Sequence, residues 1–302
     1  MCVSKHTVVG LGEVLWDLLP GGRQLGGAPT NFAYITSVLG DIGIVASRLG
    51  KDDLGNEASQ ALKRLDLPTA QIQLDREHPT GTVKVDVDAA GQPRLEITES
   101  VAWDYLEWTP EWRALAGQAD AVCFGSLAQR SPRSRETIRQ FLRAARQGAT
   151  RVFDVNLRQT FFSADVLAES MKLTDVVKVN DDELPRVLSL LGIAYDGELA
   201  SAQRLRSTYA LKLVCVTRGA RGSLLVNKDA IHEHSGFSVR VADTVGAGDA
   251  FTAGLLHHYL RGASPATMND AANRVGSWVA SQVGGTPTPN AEQLRHVLAS
   301  SS

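Results

Sequence analysis

Between Asp120 and Thr217, short apolar runs and helical patterns take turns, and this rhythm restricts the fold more than any other feature. The apolar runs lie at 121–124, 152–155, 176–179 and 213–217. The helical patterns between them lie at 134–146, 164–172, 183–191 and 200–209. Strands joined by crossover helices run parallel in one sheet that is covered on both faces. In such sheets ligands collect at the carboxyl ends of the strands. Three polar strings fall there: Asp154-Val155-Asn156-Leu157-Arg158, Asn180-Asp181-Asp182-Glu183 and Thr217-Arg218-Gly219-Ala220-Arg221-Gly222. Each alone is explained by a turn or a helix cap. On one shared rim they point to a site.

The first strand is Thr7-Val8-Val9-Gly10-Leu11. Gly10-Leu11-Gly12 begins a dinucleotide fingerprint, but Leu15 stands where the third glycine belongs and no helical pattern follows, so that reading fails. Gly26-Gly27-Ala28-Pro29-Thr30-Asn31 instead opens a helix through Phe32, Ile35 and Leu39 to Gly40. Its glycines bare backbone donors, and Asn31 offers both a donor and an acceptor to a hydroxylated ligand. A strand at 42–47 and a helix ending at Leu65 follow.

The stretch from Thr80 to Ile97 behaves differently. Val83, Val85 and Val87 alternate with Lys84, Asp86 and Asp88, and a turn at 89–92 leads back through Arg94-Leu95-Glu96-Ile97. That pattern predicts a half-exposed antiparallel hairpin standing off the main sheet, joined by the turn region around 17–23. Trp103, Trp108 and Trp112 then sit in a connecting segment, where packing is their expected role.

Near the carboxyl end comes Asp243-Thr244-Val245-Gly246-Ala247-Gly248-Asp249. It leads into a helix marked by Phe251, Leu255 and Tyr259 and stopped by Gly262. Gly246, Ala247 and Gly248 carry little bulk, so their amides can approach an anion at the positive end of the helix dipole. Asp249 sets a carboxylate beside the same place. An oxyanion site next to a proton acceptor suits phosphoryl transfer to a hydroxyl; a glycine turn with Asp249 as cap is the plainer alternative. Helices at 265–283 and 291–298 close the chain.

A chain of 302 residues that is 43% hydrophobic can bury a large core, and a net charge of −2 gives no electrostatic case for nucleic acid or an anionic membrane. No secretory signal or run long enough to span a membrane is read. Cys2, Cys123 and Cys215 are odd in number and widely spaced, as in a cytoplasmic protein with reduced thiols. The pairs His232/His234 and His257/His258 have no cysteine or carboxylate spaced to complete a metal site.

Asp243 to Asp249 matches D-T-x-G-A-G-D, and Gly26-Gly27, Asn31, Ala33, Gly40 and Gly50 match a second signature more than two hundred residues away. Together they resemble the ribokinase-type (PfkB) carbohydrate kinases, over about 8–289. The resemblance implies one domain over 1–302: a Rossmann-like three-layer α/β/α sandwich with a small β-sheet lid from segments near 13–26 and 79–101. It implies an ATP-dependent kinase with Asp249 as base and Gly246, Ala247 and Gly248 as anion hole. Asp17, Gly27 and Asn31 would hold the sugar, with Arg158 a further substrate contact. Thr217, Gly219 and Gly222 would lie under the nucleotide, and Asn273 at the purine. Asn180 and Glu183 match an N-x-x-E motif tied to magnesium and phosphate, Glu183 acting through water. Asp243 and Val245 match a monovalent-cation site, for potassium. The chain carries no P-loop motif.

Gly26-Gly27-Ala28-Pro29-Thr30-Asn31 and Gly12-Glu13-Val14-Leu15-Trp16-Asp17 resemble the G-G-A-P-x-N and G-E-x-L-x-D forms of fructokinases, the bacterial ones above all. That implies D-fructose, phosphorylated at its 6-hydroxyl; 2-keto-3-deoxygluconate and ribose stay open. A non-catalytic sugar sensor is the alternative from another class. Asp249, at a helix N-terminus, is expected to be ionised and only weakly basic. An exposed lid edge would favour a homodimer, with a monomer and inward-folded lid equally compatible.

Overall fold

The computed structural model describes residues 5–19, 21–87 and 93–298; Cys2 and the turn expected at 89–92 lie outside them. The chain opens with β1 (Thr7–Leu11), β2 (Leu15–Leu19) and β3 (Gly22–Gly26), then α1 (Ala28–Val38), β4 (Ile42–Gly50), α2 (Asp53–Arg64) and β5 (Ile72–Asp75). β6 (Gly81–Val87) and β7 (Pro93–Ile97) precede a 3-10 turn at Ala102–Tyr105 and α3 (Pro110–Gln118). Strand and helix then alternate: β8 (Ala121–Phe124), α4 (Pro132–Ala144), β9 (Thr150–Asp154), α5 (Ala164–Lys172), β10 (Val176–Asn180), α6 (Glu183–Leu190), α7 (Glu198–Thr208) and β11 (Leu213–Thr217). β12 (Ser223–Asn227), β13 (Ile231–His234), α8 (Ala247–Tyr259), α9 (Pro265–Ala280) and α10 (Ala291–Leu298) complete it.

The main sheet has nine strands in the order β13-β12-β11-β10-β9-β8-β1-β4-β5. β12 and β13 join antiparallel at one edge; every other pairing is parallel. Alternate side chains leave on opposite faces. Val9, Val122, Phe153, Val177 and Val214 enter one core with α3 to α7. Val8, Ala121, Val152, Val176 and Leu213 enter the other with α1, α2, α8 and α9. This is the expected three-layer α/β/α sandwich. The strand order reverses between β1 and β8, which opens a crevice at their carboxyl ends.

Three elements add to the sequence reading. β5 and β13 are short edge strands whose outward residues Leu74 and Ile231 are exposed, so neither forms the apolar run that marks a central strand. α3 starts at Pro110 under a Thr109 cap, and Trp112 on it is buried. A second sheet of four strands, in the order β3-β2-β6-β7, stands at the carboxyl end of β1. Trp16 fastens it to the body, its Nε1 donating to the Leu54 carbonyl on α2 at 2.9 Å. Among the described residues, no helix is long and apolar enough to cross a membrane.

Candidate active site

α8 begins on Gly246, whose backbone is left-handed (φ 76°, ψ −7°). A Cβ there would also come within 2.4 Å of Gly285 Cα, so only glycine satisfies both constraints. No side chain caps the helix start; Ala247 N makes only a long hydrogen bond, to the Thr244 carbonyl at 3.3 Å, and the helix dipole favours an anion there. Asp249 sits in the first turn, and its Oδ2 accepts a hydrogen bond from Asn31 Nδ2 at 2.8 Å. The two glycine-loop signatures, remote in sequence, therefore meet at one carboxylate.

Burial and the neighbouring Asp154 charge raise the Asp249 carboxyl to about 6, against the opposing pull of Asn31, Lys178 and Arg158. The helix terminus was expected to keep it a weak base; desolvation outweighs the dipole here. At neutral pH it is still mostly ionised, and it is a better proton acceptor than an ordinary aspartate.

Beneath the loop lies a residue that the sequence analysis missed. Lys178, in the middle of β10, is 8% exposed and faces Asp154, its register partner on β9. Its Nζ donates to Asp154 Oδ1 and Oδ2 at 3.0 and 3.1 Å, and Thr252 Oγ1 on α8 donates to Oδ2 at 2.9 Å. Nζ lies 2.9 Å from where a Gly248 Cβ would be. Desolvation works against its charge, but Asp154, Glu183 and Asp249 more than offset this and hold it protonated. The signal was in the sequence: a lysine inside the apolar run Val176-Val177-Lys178-Val179, with an aspartate ending the neighbouring strand.

Of the residues expected at the sugar, Asn31 bonds Asp249 directly and Arg158 acts on it through its charge. Asp17, on β2, is pushed up to about 6 by burial, with Arg158 opposing and Asp243 adding. Its Oδ2 packs so closely on Gly26 that a Cβ there would lie 2.3 Å away. Gly27 similarly has no room for a side chain against the Glu13 carbonyl. Glu13 itself is 4% exposed, and burial, helped by Asp249, raises its carboxyl to about 7. Arg158 is exposed on the loop after β9, and its charge acts on Glu13, Asp17 and Asp249 alike.

Asn180 and Glu183, expected at magnesium and phosphate, form a closed box. Asn180 Oδ1 accepts from Glu183 N at 2.7 Å, and Glu183 Oε2 accepts from Asn180 N at 3.0 Å. Glu183 Oε1 accepts from Leu157 N at 2.7 Å, tying in the loop that carries Arg158. No group of three or more His, Cys, Asp or Glu among the described residues is placed to hold a metal. With both Glu183 oxygens already on amides, the donor set fits a magnesium ion carried on phosphates and reached through water.

The Thr217–Gly222 loop turns tightly: Gly219 and Gly222 have φ of 58° and 80°, and Arg218 N donates to the Gly222 carbonyl at 2.8 Å. Asn273 is buried, its Nδ2 committed to Ser223 Oγ and to Asn269. Asp243 clasps two loops, accepting from Val245 N and Gly284 N at 3.0 Å each.

Residues 21–292 match the family described as pfkB family carbohydrate kinase. A fructokinase of Escherichia coli is 32% identical over 260 residues, 82% of either chain. A sugar kinase of Pyrococcus horikoshii, solved in complex with ATP, is 27% identical with a TM-score of 0.80, covering 96% of this chain and 100% of that one. A fructokinase of Xylella fastidiosa with bound ATP has a TM-score of 0.83 at 22% identity, covering 98% of each chain, and speaks for the fold alone.

Proposed function

The chain belongs to the pfkB family of carbohydrate kinases and is a sugar phosphotransferase, and from that premise we propose that it moves the γ-phosphoryl group of ATP to the 6-hydroxyl of D-fructose. The observation that carries this reading is the meeting of Asn31 and Asp249 at the start of α8, above Lys178. Asp249 takes the proton of the attacking hydroxyl as the new O–P bond forms. The bond to the β-phosphate breaks and its electrons leave with ADP. The amides of Gly246, Ala247 and Gly248 receive the migrating phosphoryl oxygens, and Lys178 supplies fixed positive charge below them. Asn31 and Gly27, with Asp17 and Arg158, orient the sugar.

Thr217, Gly219 and Gly222 line the nucleotide, and Asn273 braces the wall at the purine. Magnesium on the phosphates would neutralise charge, with Asn180 and Glu183 reaching it through water. The Asp243 and Val245 carbonyls would take a potassium ion. The four-stranded sheet acts as a lid that keeps water from competing with the sugar. Its outer strands β3 and β7 are the edges through which a homodimer would pair. A cytoplasmic location is part of the same reading.

Two observations support a neutral hexose over a sugar acid. Glu13, Asp17 and Asp249 share one arginine on the sugar side, so a substrate carboxylate would meet more negative than positive charge. The relative matched at 32% identity is a fructokinase. The test is ATP-dependent turnover of fructose, ribose and 2-keto-3-deoxygluconate. A clear preference for fructose is the expected result; preference for another sugar overturns the substrate, and sugar binding without turnover overturns the kinase mechanism.

A further inference from the structure

Two chain crossings link β6 and β7 to the body, one at Gly81 and one just after β7 at Thr98. Both rest on the same buried unit. The Trp103 indole lies so close under Gly81 that a Cβ there would stand 2.2 Å from Nε1. Arg130 Nη2 donates to the Thr98 carbonyl at 2.6 Å. The Arg130 guanidinium stacks on Trp103 at 4.0 Å from the ring centroid, and its Nε and Nη2 donate to Asp104 at 2.8 and 2.7 Å. The Arg130 and Asp104 side chains are each only 6% exposed. Ser100, between Thr98 and Trp103, takes a left-handed φ of 56°, a strained turn for a residue that is not glycine.

The same guanidinium reaches the substrate side. Phe161 lies 4.7 Å from it, and Phe161 N donates to the Arg158 carbonyl at 3.0 Å, closing the turn that carries Arg158. One planar cation thus touches the exit of the small sheet, the indole under its entrance and the Arg158 turn. Lysine could not do this, because the contacts use the guanidinium fork and its flat faces together. Stability alone does not explain the arrangement. A buried ion pair is costly to desolvate, and Arg130 Nη1 is buried with no protein partner. A recess of about 230 Å³, lined by Glu99, Ser100, Tyr105 and Phe161 among others, lies beside the unit and leaves room for it to shift.

We propose that Arg130 is a positioning residue that couples the small sheet to Arg158, so that covering the sugar and placing Arg158 are one movement about the Trp103–Arg130–Asp104 joint. This rests on the reading above that the sugar lies beneath that sheet. The experiment compares Arg130→Lys and Phe161→Leu with a remote core variant, Leu205→Ala, for melting temperature, sugar KM, ATP KM, kcat, and ADP released per sugar phosphate. The sugar used is whichever one the wild type phosphorylates, so a wrong substrate shows in the wild type and leaves this test standing. Arg130→Lys should raise the sugar KM about tenfold and release excess ADP, with ATP KM within about twofold and kcat within about threefold. Phe161→Leu, which removes one stacking partner and no charge, should move the same quantities less, and it decides the matter if Arg130→Lys does not fold. Leu205→Ala should lower the melting temperature and leave both the sugar KM and the ADP ratio alone. The proposal is overturned if the folded variants keep the wild-type sugar KM and ADP ratio, or if Leu205→Ala shifts both as far as they do.

Discussion

Replacing Lys178 by methionine removes one charge from beneath the start of α8 and almost nothing from the surface. Two consequences separate cleanly. Asp154 stays buried with Thr252 as its remaining side-chain donor, and orphaning a buried charge costs roughly 3–5 kcal/mol of stability. The phosphoryl oxygens at Gly248 also lose a cation; at roughly 5 Å and an effective dielectric of about 20 that interaction is worth ~3 kcal/mol. A loss of that size in the transition state slows transfer about a hundredfold. The double variant Lys178→Met with Asp154→Asn removes the orphaned charge, so its melting temperature should recover most of the loss, while kcat should recover only the smaller part that comes from lifting the Asp154 repulsion. Calorimetry and steady-state turnover of sugar and ATP give both numbers. A kcat that stays near wild type in Lys178→Met, or that returns fully to wild type in the double variant, would refute the role of Lys178.

Three further outcomes follow from the same geometry. With Asp249 near 6, kcat/KM should fall about tenfold per unit as pH drops below that value, and a flat profile between about pH 5 and pH 7 would contradict its role as base. Gly246→Ala meets a positive φ and the Gly285 backbone together, so it should fold with a loss of about 1–3 kcal/mol and turn over at least about a hundredfold more slowly; near-normal kcat would show that the loop is not the anion site. Asp41 is buried between His257 and Arg261 and accepts from His6 N, contacts that hold its carboxyl well below the ordinary value of 3.8. Its contribution is present above that ordinary value and lost as pH falls, so Asp41→Asn should lower the melting temperature at neutral pH and narrow the gap to wild type in acid.

The sandwich was legible because its strands are buried on both faces and so read as continuous apolar runs. β1, β8 and β11 begin and end where those runs do. The edge strands β5 and β13 were not legible: β13 buries no residue, β5 buries only Asp75, and four residues give alternation little length to show itself. β4 extends to Gly50 because its last residues pair with β5, a tertiary contact that local pattern does not contain. Within the site, glycine and aspartate positions stood out because turns and helix starts demand them locally. Lys178 did not, since its role exists only once β9 and β10 lie side by side. Trp103 was assigned to packing, which is right for its burial, yet its stacking on Arg130 depends on residues 27 positions further along the chain. The basicity of Asp249 was misjudged for a related reason: the helix terminus is visible in sequence, the surrounding walls are not.

The most direct measurement is the rate of fructose 6-phosphate formation from fructose and ATP by wild type and Asp249→Asn, with sugar affinity measured separately by calorimetry. If Asp249 accepts the hydroxyl proton, the variant should bind fructose within a few fold of wild type, by order of magnitude, and lose about a thousandfold in kcat. A variant that binds the sugar and keeps kcat within about tenfold of wild type would contradict the assignment of the base.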